Sequence, residues 1–248
     1  MKRDVLIICN PVAGGGSAQR RIGRLVEILR RQGHRAETFF TRAPGDAKRR
    51  ARCIGPGVTT LGVAGGDGTV NEVLNGLPDP TRIPTVLLPT GTANMLAREL
   101  GLPSKPEAVA EVIERGSVRK LDMGLVDDRR FLMVLSSGFD AMVTEQIELR
   151  GRRPAGYCSY LPPVLKTLVD YRSPELTVAV DGREGLEGGL VVVSNTRNYG
   201  GIFTVAERAR CDSGHLDACI FQGCTIGGLM RCAVAALARR ASKLPGVT

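Results

Sequence analysis

Tryptophan is absent, and aromatic side chains make up only 4% of the 248 residues. Single-stranded nucleic acid is held largely by stacking on such rings, so no nucleic-acid partner is expected. Histidine occurs only at His34 and His215, and the seven cysteines include no Cys-x-x-Cys pair. That pattern supports neither a zinc site nor a disulfide framework and points to free thiols in a reducing compartment. Long apolar runs are also lacking. The run at residues 5–9 is cut by Asn10-Pro11, too early for a signal peptide. The segment from Ile226 is interrupted by Arg231, Arg239 and Arg240 before it reaches the roughly 20 residues of a membrane span. These absences predict a cytoplasmic protein, peripheral to the inner face of the membrane if it meets one.

What is present begins with charge. Thirty-four Lys and Arg against 25 Asp and Glu leave a net charge of +9, compatible with an anionic membrane surface or a polyphosphate substrate. Arg49-Arg50-Ala51-Arg52 and residues 150–153 are the basic segments that could meet anionic headgroups. Glycine is the other abundant feature, with 31 residues. Its placement is regular: short apolar runs stop at glycine loops, and helical patterns follow.

Residues 5–9 read as a buried parallel strand. Asn10-Pro11-Val12-Ala13-Gly14-Gly15-Gly16-Ser17 follows, then a helix with Ile22, Leu25, Val26, Ile28 and Leu29 at helical spacing. Ser17 is its expected N-cap and Gly33 its terminator. No Lys-Ser/Thr follows the glycines, so this is not a P-loop. Residues 35–40 read as a strand ending at Thr41, residues 44–54 as a basic helix, and residues 58–64 as a strand. The last runs into Gly65-Gly66-Asp67-Gly68-Thr69-Val70-Asn71-Glu72-Val73 and a helix to about Asn75. Residues 84–88 form another strand, followed by Pro89-Thr90-Gly91-Thr92-Ala93-Asn94 and a short helix. Alternation of this kind predicts a doubly wound α/β domain over residues 1–117, with loops 10–17, 65–69 and 89–94 and Thr41 converging beyond the carboxyl ends of the strands. Bare backbone at a helix start suits a phosphate. Asp67 has the wrong charge to hold one and fits a magnesium ligand or a proton acceptor.

After Gly116 the pattern becomes β-rich, and residues 118–248 read as a second domain. Strands are expected at 118–126, 130–136, 176–180, 190–194, 203–206 and 216–221, with helices at 157–171 and about 226–240. Gly138-Phe139-Asp140-Ala141 breaks the second of these strands.

The motifs Asn10-Pro11-x-x-Gly14, Gly65 to Val73 as quoted, Gly91-Thr92-Ala93-Asn94, Asp122-Met123-Gly124, Gly138-Phe139-Asp140-Ala141, Ser194-Asn195, Tyr199-Gly200-Gly201 and Asp212-Ser213-Gly214-His215-Leu216-Asp217 occur in this order. The set resembles the diacylglycerol kinase catalytic-domain superfamily, which includes bacterial lipid kinases and the sphingosine and ceramide kinases. The resemblance implies a nucleotide domain like that of NAD kinases and phosphofructokinases, then a β-sandwich-like domain. It implies transfer of the γ-phosphate of ATP to a lipid hydroxyl at the membrane surface, with Mg²⁺. Nucleotide contacts would fall on Asn10, Pro11, Val12, Ala13, Gly14, Thr41, Gly65, Gly66, Asp67, Gly68, Thr69, Val70, Asn71, Glu72 and Thr92. Asp67 would be catalytic, and Asp140 would face the lipid. Glu72 by itself reads as a solvated acid in the first turns of a helix.

Two departures accompany the resemblance. Ser213 stands where the family usually has a second Asp beside Asp212, so a structural metal held by Asp212, Ser213 and His215 would lack a carboxylate. The family's usual Asp-Gly-Glu segment, with its proposed base, does not occur after residue 245, so the second domain is expected to be truncated. The alternative to a kinase is then a catalytically impaired nucleotide-binding homologue. A homodimer is compatible with the sequence.

Overall fold

The computed structural model describes residues 2–149, 161–182, 185–200, 203–222, 226–238 and 247. Five apolar residues in succession leave β1 (Asp4–Cys9) no polar face, and it is buried throughout those five. It lies inside a four-stranded, all-parallel sheet with β2 (Arg35–Phe40), β3 (Thr60–Gly65) and β4 (Thr85–Pro89), in the order β2–β1–β3–β4. Ile7 pairs with Thr38 on one side and Gly62 on the other.

The helices are α1 (Ala18–Arg31), α2 (Asp46–Arg52), α3 (Asp67–Gly76), α4 (Met95–Glu99) and α5 (Pro106–Arg115). Ala18, Ile22, Leu25 and Leu29 form the buried stripe of α1, packed with Val5, Ile7 and Cys9 of β1 and Val109, Ala110 and Ile113 of α5. Each Leu or Ile so buried contributes about 1.5–3 kcal/mol. The helix stops where Gly33 adopts φ +84°, with the His34 N–H reaching Leu29 O at 3.0 Å and the Gly33 N–H reaching Arg30 O at 3.0 Å. This paired closure is the Schellman arrangement that only a left-handed residue allows without strain. Ser17 does not cap the other end. Its hydroxyl turns back to Gly14 O at 3.3 Å, because the preceding glycine turn brings that carbonyl under it.

On α3, Gly76 is buried against α2: a methyl there would overlap Lys48 O and stand 2.8 Å from Ala51 Cβ. A hairpin of β5 (Gly124–Val126) and β6 (Arg129–Phe131) turns at Asp127, whose φ of +48° suits the two-residue connection. Asn75 of α3 exchanges bonds with the Arg130 backbone, donating to its O at 2.9 Å and accepting from its N–H at 2.8 Å. The Arg130 guanidinium then donates to Leu74 O, Leu77 O and Pro78 O at 2.7–3.2 Å, satisfying the carbonyls that end α3.

By internal contacts the chain forms two units. The first holds Met1–Lys120 with Leu125–Arg130, and the second holds Leu121–Gly124 with Phe131–Thr248. The second unit contains, in order, β7 (Val134–Ser137), α6 (Phe139–Leu149), α7 (Leu161–Asp170), β8 (Leu176–Val178), β9 (Leu186–Gly188), β10 (Leu190–Ser194), β11 (Asn198–Tyr199), β12 (Phe203–Thr204), β13 (Asp217–Phe221) and α8 (Ile226–Leu237). Strands β13–β10–β7 form an antiparallel sheet, while β8–β9 and β11–β12 are ribbons. Leu190, Val192, Val205, Phe221 and Ala236 are the core here, with Phe139, Leu168, Tyr171 and Tyr199 packed on it. Gly138, at φ +106°, ends β7 as expected, but the chain goes straight into α6, a helix not anticipated from the sequence. Pro162 and Pro163 lie in the first turn of α7, where a missing N–H costs nothing.

Candidate functional site

The chain leaves β1 toward β2 on one side, whereas β3 and β4 lie on the other. The loops after β1 and β3 therefore open apart at the point where strand order reverses, which is where open α/β sheets bind ligands. Gly14, Gly15 and Gly16 succeed one another at φ +61°, +71° and +84°. That conformation is costly for side-chain-bearing residues, and it folds loop 10–17 back over the strand ends. Asn10 organises the loop: its N–H donates to Ala64 O at 2.8 Å, its Oδ1 accepts the Val12 N–H at 3.2 Å, and its Nδ2 reaches Thr69 Oγ1 at 3.5 Å.

Two close approaches join the loops. A methyl on Gly14 would overlap Thr90 O, and one on Gly91 would overlap Gly66 Cα and stand 3.0 Å from Gly66 N. Backbone thus meets backbone between the loops that follow β1, β3 and β4. The Thr90 N–H donates to Gly65 O at 3.1 Å, extending the ladder one residue past β4. The Thr90 hydroxyl is buried and has no hydrogen-bond partner. Asn94, at φ +47°, closes its own loop, accepting from Gly91 N–H at 2.9 Å and donating to Gly91 O at 2.7 Å. From α1, Arg21 donates to Pro89 O at 3.0 Å and to Ser104 O.

Asp67 begins α3, half-buried, with both carboxylate oxygens engaged. Oδ2 accepts the Met95 N–H at 3.0 Å and Oδ1 the Leu96 N–H at 3.2 Å. The carboxylate thus satisfies the amide donors that open α4, as an N-terminal anion does. Thr69 is buried, with Gly65 packed so tightly on it that a methyl there would stand 2.5 Å from its Cβ. Val70 is buried, Gly68 half-buried and Asn71 exposed. Pro11 and Ala13 are half-buried, and Val12 is 79% exposed. Thr92 is exposed at the loop tip. Thr41 continues β2 by donating its N–H to Cys9 O at 2.9 Å. Glu72 is not the solvated helix acid of the bare sequence reading. It is half-buried, and its Oε2 accepts the Gly45 N–H at 3.1 Å.

The loop residues chosen from sequence therefore lie together in the first unit. Sequence reasoning did not single out Thr90, Gly91 or Asn94 as site residues, although all three lie in the loop it selected. The basic stretch 49–52 is largely occupied locally. Arg49 pairs with Asp46, and Arg50 donates to Cys53 O at 2.9 Å and lies 5.9 Å from the centre of the Phe39 ring. The other basic segment, 150–153, and Gly201 lie outside the described residues.

In the second unit Asp140 stands in the first turn of α6 and accepts from the Ser136 hydroxyl. Tyr199 also hydrogen-bonds this carboxylate, and burial together with the Asp140 charge holds its phenol well above the usual value. Asp122 accepts the Gly214 N–H at 2.6 Å. Asn195 is fully buried, and its amide donates to Asp122 O at 2.7 Å and Leu132 O at 2.8 Å.

The metal site expected at Asp212, Ser213 and His215 does not assemble. Asp212 pairs with Arg210 at 3.2 Å, and the Ser213 hydroxyl bonds Arg210 O at 2.9 Å. The His215 ring faces Ser213 O at 2.8 Å. With Ser in place of a carboxylate, the turn satisfies itself through backbone carbonyls. Among the described residues no group of three or more His, Cys, Asp or Glu could hold a metal ion.

A family model described as the diacylglycerol kinase catalytic domain matches residues 4–126, and one described as the YegS C-terminal NAD kinase β-sandwich-like domain matches residues 133–238. A diacylglycerol kinase of Mycobacterium tuberculosis is 30% identical over 236 residues, covering 92% of this chain and 76% of that one. A diacylglycerol kinase of Bacillus subtilis is 29% identical over 242 residues, covering 96% and 79%. A crystal structure of a diacylglycerol kinase from Bacillus anthracis superposes with a TM-score of 0.71 at 27% identity, over 92% of this chain and 77% of that one. A parallel α/β core followed by a β-sandwich-like domain is the architecture these share with the present chain.

Proposed function

Because the chain belongs to the diacylglycerol kinase catalytic-domain family, we propose that it is an ATP-dependent lipid kinase, transferring the γ-phosphate to the hydroxyl of a diacylglycerol-like lipid. The observation that carries this reading is the backbone-to-backbone closure of three glycine loops at the switch point of the sheet, at Gly14–Thr90 and Gly66–Gly91. Phosphoryl transfer depends on alignment and charge stabilisation more than on covalent help, and loops fixed to one another supply alignment.

In this reading residues 10–14, Thr41, residues 65–72 and Thr92 contact the nucleotide. Asp67 is the catalytic carboxylate: the acceptor oxygen bonds to the γ-phosphorus, its proton passes to Asp67, and ADP leaves. The two N–H donors from α4 hold that carboxylate in one orientation. The described residues form no cage for Mg²⁺, and a divalent ion would come with the nucleotide phosphates, which ligate it themselves.

Asp140, already accepting from Ser136 and Tyr199, is our candidate for the lipid side, with lone pairs left for a hydroxyl. No described helix is long and apolar enough to cross a membrane. We place the encounter with the lipid at the membrane surface. Leu161, Leu165 and Val169, one face of α7 at 58%, 52% and 81% exposure, support that placement.

The test is transfer of labelled γ-phosphate to diacylglycerol, sphingosine or phosphatidylglycerol in mixed micelles. Labelled diacylglycerol product is expected, lost in Asp67→Asn. ATP binding without transfer to any of the three lipids would overturn the proposal.

A further inference from the structure

We propose that Tyr199 is a positioning residue of the lipid site: with Ser136 it holds the Asp140 carboxylate so that a neutral hydroxyl is accepted and an anionic headgroup is turned away. The inference rests on the kinase reading for the lipid acceptor, and on geometry within the second unit for how the carboxylate is held.

Ser136 lies opposite Val192 in the antiparallel pairing of β7 with β10. Residues directly opposite one another share a face of the sheet. Val192 belongs to the core of the second unit, with Val134 of β7 packed against it. The Ser136 hydroxyl therefore stands on the apolar face of its sheet. Asp140 follows four residues later, in the first turn of α6, and accepts from that hydroxyl. Tyr199 arrives from the β11–β12 ribbon, and its phenol hydrogen-bonds both Asp140 and Ser136. Polar side chains from two strands and a helix thus meet against a cluster that is otherwise apolar.

An acid in the first turn of a helix needs no such company, since the amide dipoles already favour it. Asp140 is half-buried, and taking a carboxylate part-way out of water is costly without a partner. Among the described residues the partners it has are hydroxyls, not cations. Its charge is hydrogen-bonded but not neutralised. An ionised carboxylate only accepts, with about four lone-pair sites. Ser136 and Tyr199 take part of that capacity and fix the plane in which the rest points. A lipid hydroxyl can donate to what is left. A phosphodiester brings like charge and no donor, so it is repelled. An ammonium carries three donors, whereas the neighbours Val134, Phe139 and Phe203 are apolar and suit a single-donor head on acyl chains.

Tyr199 is itself held in place. Its ring lies 6.4 Å from that of Phe203, its partner across the ribbon. Burial and the Asp140 charge keep its phenol well above the usual value, so the proton it donates stays on through the neutral range.

The experiment measures phosphate transfer from ATP to diacylglycerol, sphingosine and phosphatidylglycerol in mixed micelles. The proteins are wild type, Tyr199→Phe, Ser136→Ala, Asp140→Asn and the Tyr199→Phe/Asp140→Asn double variant. Wild type is expected to prefer diacylglycerol. Tyr199→Phe keeps the ring and is expected to raise KM for diacylglycerol about tenfold, the factor for a lost charge-assisted bond, with kcat and KM for ATP little changed. Ser136→Ala is expected to move in the same direction. Asp140→Asn is expected to narrow the preference for diacylglycerol over phosphatidylglycerol about tenfold, because the like charge is gone. The double variant is expected to be no worse than Asp140→Asn, since Tyr199 acts through that carboxylate. An unchanged KM for diacylglycerol in Tyr199→Phe overturns the positioning role, as does an equal rise in KM for ATP or a double variant whose losses multiply. A wild type that prefers sphingosine or phosphatidylglycerol, or an Asp140→Asn variant with an unchanged preference, overturns the headgroup selection. If wild type transfers phosphate to no lipid, the kinase reading fails, and calorimetric titration with dioctanoylglycerol decides instead. Binding about tenfold weaker in Tyr199→Phe then sustains the proposal, and absent or equal binding ends it.

Discussion

Gly91→Ala isolates the contact that joins the loops after β3 and β4. Gly91 does not have a positive φ, so alanine suits its backbone and the whole cost is steric. The new methyl would overlap Gly66 Cα, stand 2.9 Å from Asn94 Oδ1 and 3.0 Å from Gly66 N. Two of these three obstacles are backbone, which has no rotamer to escape into. Carbon–carbon contacts rest at about 3.5–4.0 Å, so the loops have to part by roughly 1 Å. Overpacking of that size costs about 1–3 kcal/mol, which for a chain of this length lowers Tm by roughly 2–12 °C. Catalysis suffers more, since a displacement of about 1 Å in a site of aligned groups costs on the order of 100-fold. The assay is kcat/KM for ATP in lipid phosphorylation, beside a thermal melt. Gly15→Ala is the control: it has φ +71° but nothing within 4 Å, so it carries only left-handed strain of about 1–2 kcal/mol. The expected order is a loss of about 100-fold for Gly91→Ala and under tenfold for Gly15→Ala. A Gly91→Ala enzyme within threefold of wild type would refute the argument that loop closure aligns the nucleotide.

Asn195→Ala strips two carbonyls, Asp122 O and Leu132 O, of their donor in a fully buried place. We expect a loss of about 2–4 kcal/mol in denaturant unfolding, and a midpoint equal to wild type would contradict it. The Tyr199 phenol is raised by burial and by Asp140, so its contribution to stability is fully present below pH about 10 and fades as pH climbs toward its folded value. Ultraviolet titration of wild type against Tyr199→Phe should show that tyrosine ionising last, and early ionisation would dismiss the Asp140 contact. Leu165→Glu combined with Val169→Glu places two charges on the exposed stripe of α7. Sedimentation with anionic vesicles should drop at least tenfold while ATP binding holds, and unchanged sedimentation would remove α7 from the membrane surface.

Three of the four parallel strands, β1, β3 and β4, were legible because buried strands need apolar runs, and here those runs lead into the glycine-bearing loops 10–17, 65–69 and 89–94. Loop convergence followed from topology alone. What was hidden depends on partners remote in sequence. Asp67 reads as an acid at a helix start, but nothing near it in the chain says that Met95 and Leu96 supply its donors. Glu72 is similar, since its partner Gly45 precedes it by 27 residues. Gly138 was rightly seen to end a strand, yet the weak apolar stripe of residues 139–149 hid the helix that follows. Ser17 has the residue type of an N-cap, but the preceding turn claimed its hydroxyl. At residues 212–215 the motif suggested ligands, whereas Asp212 is paired with Arg210, and Ser213 and His215 are turned to nearby backbone carbonyls.

The guanidinium of Arg130 sits on the final carbonyls of α3, although ten residues earlier the chain has left the unit to which that helix belongs. No single cut in the gene therefore separates the two units cleanly. A fragment ending at residue 120 would lack the donor for Leu74, Leu77 and Pro78, and a chimaera spliced there would inherit its cap from a foreign parent. Recombination between relatives should accordingly succeed more often after residue 130 than at residue 120, with residues 121–130 travelling as part of the donor's first half.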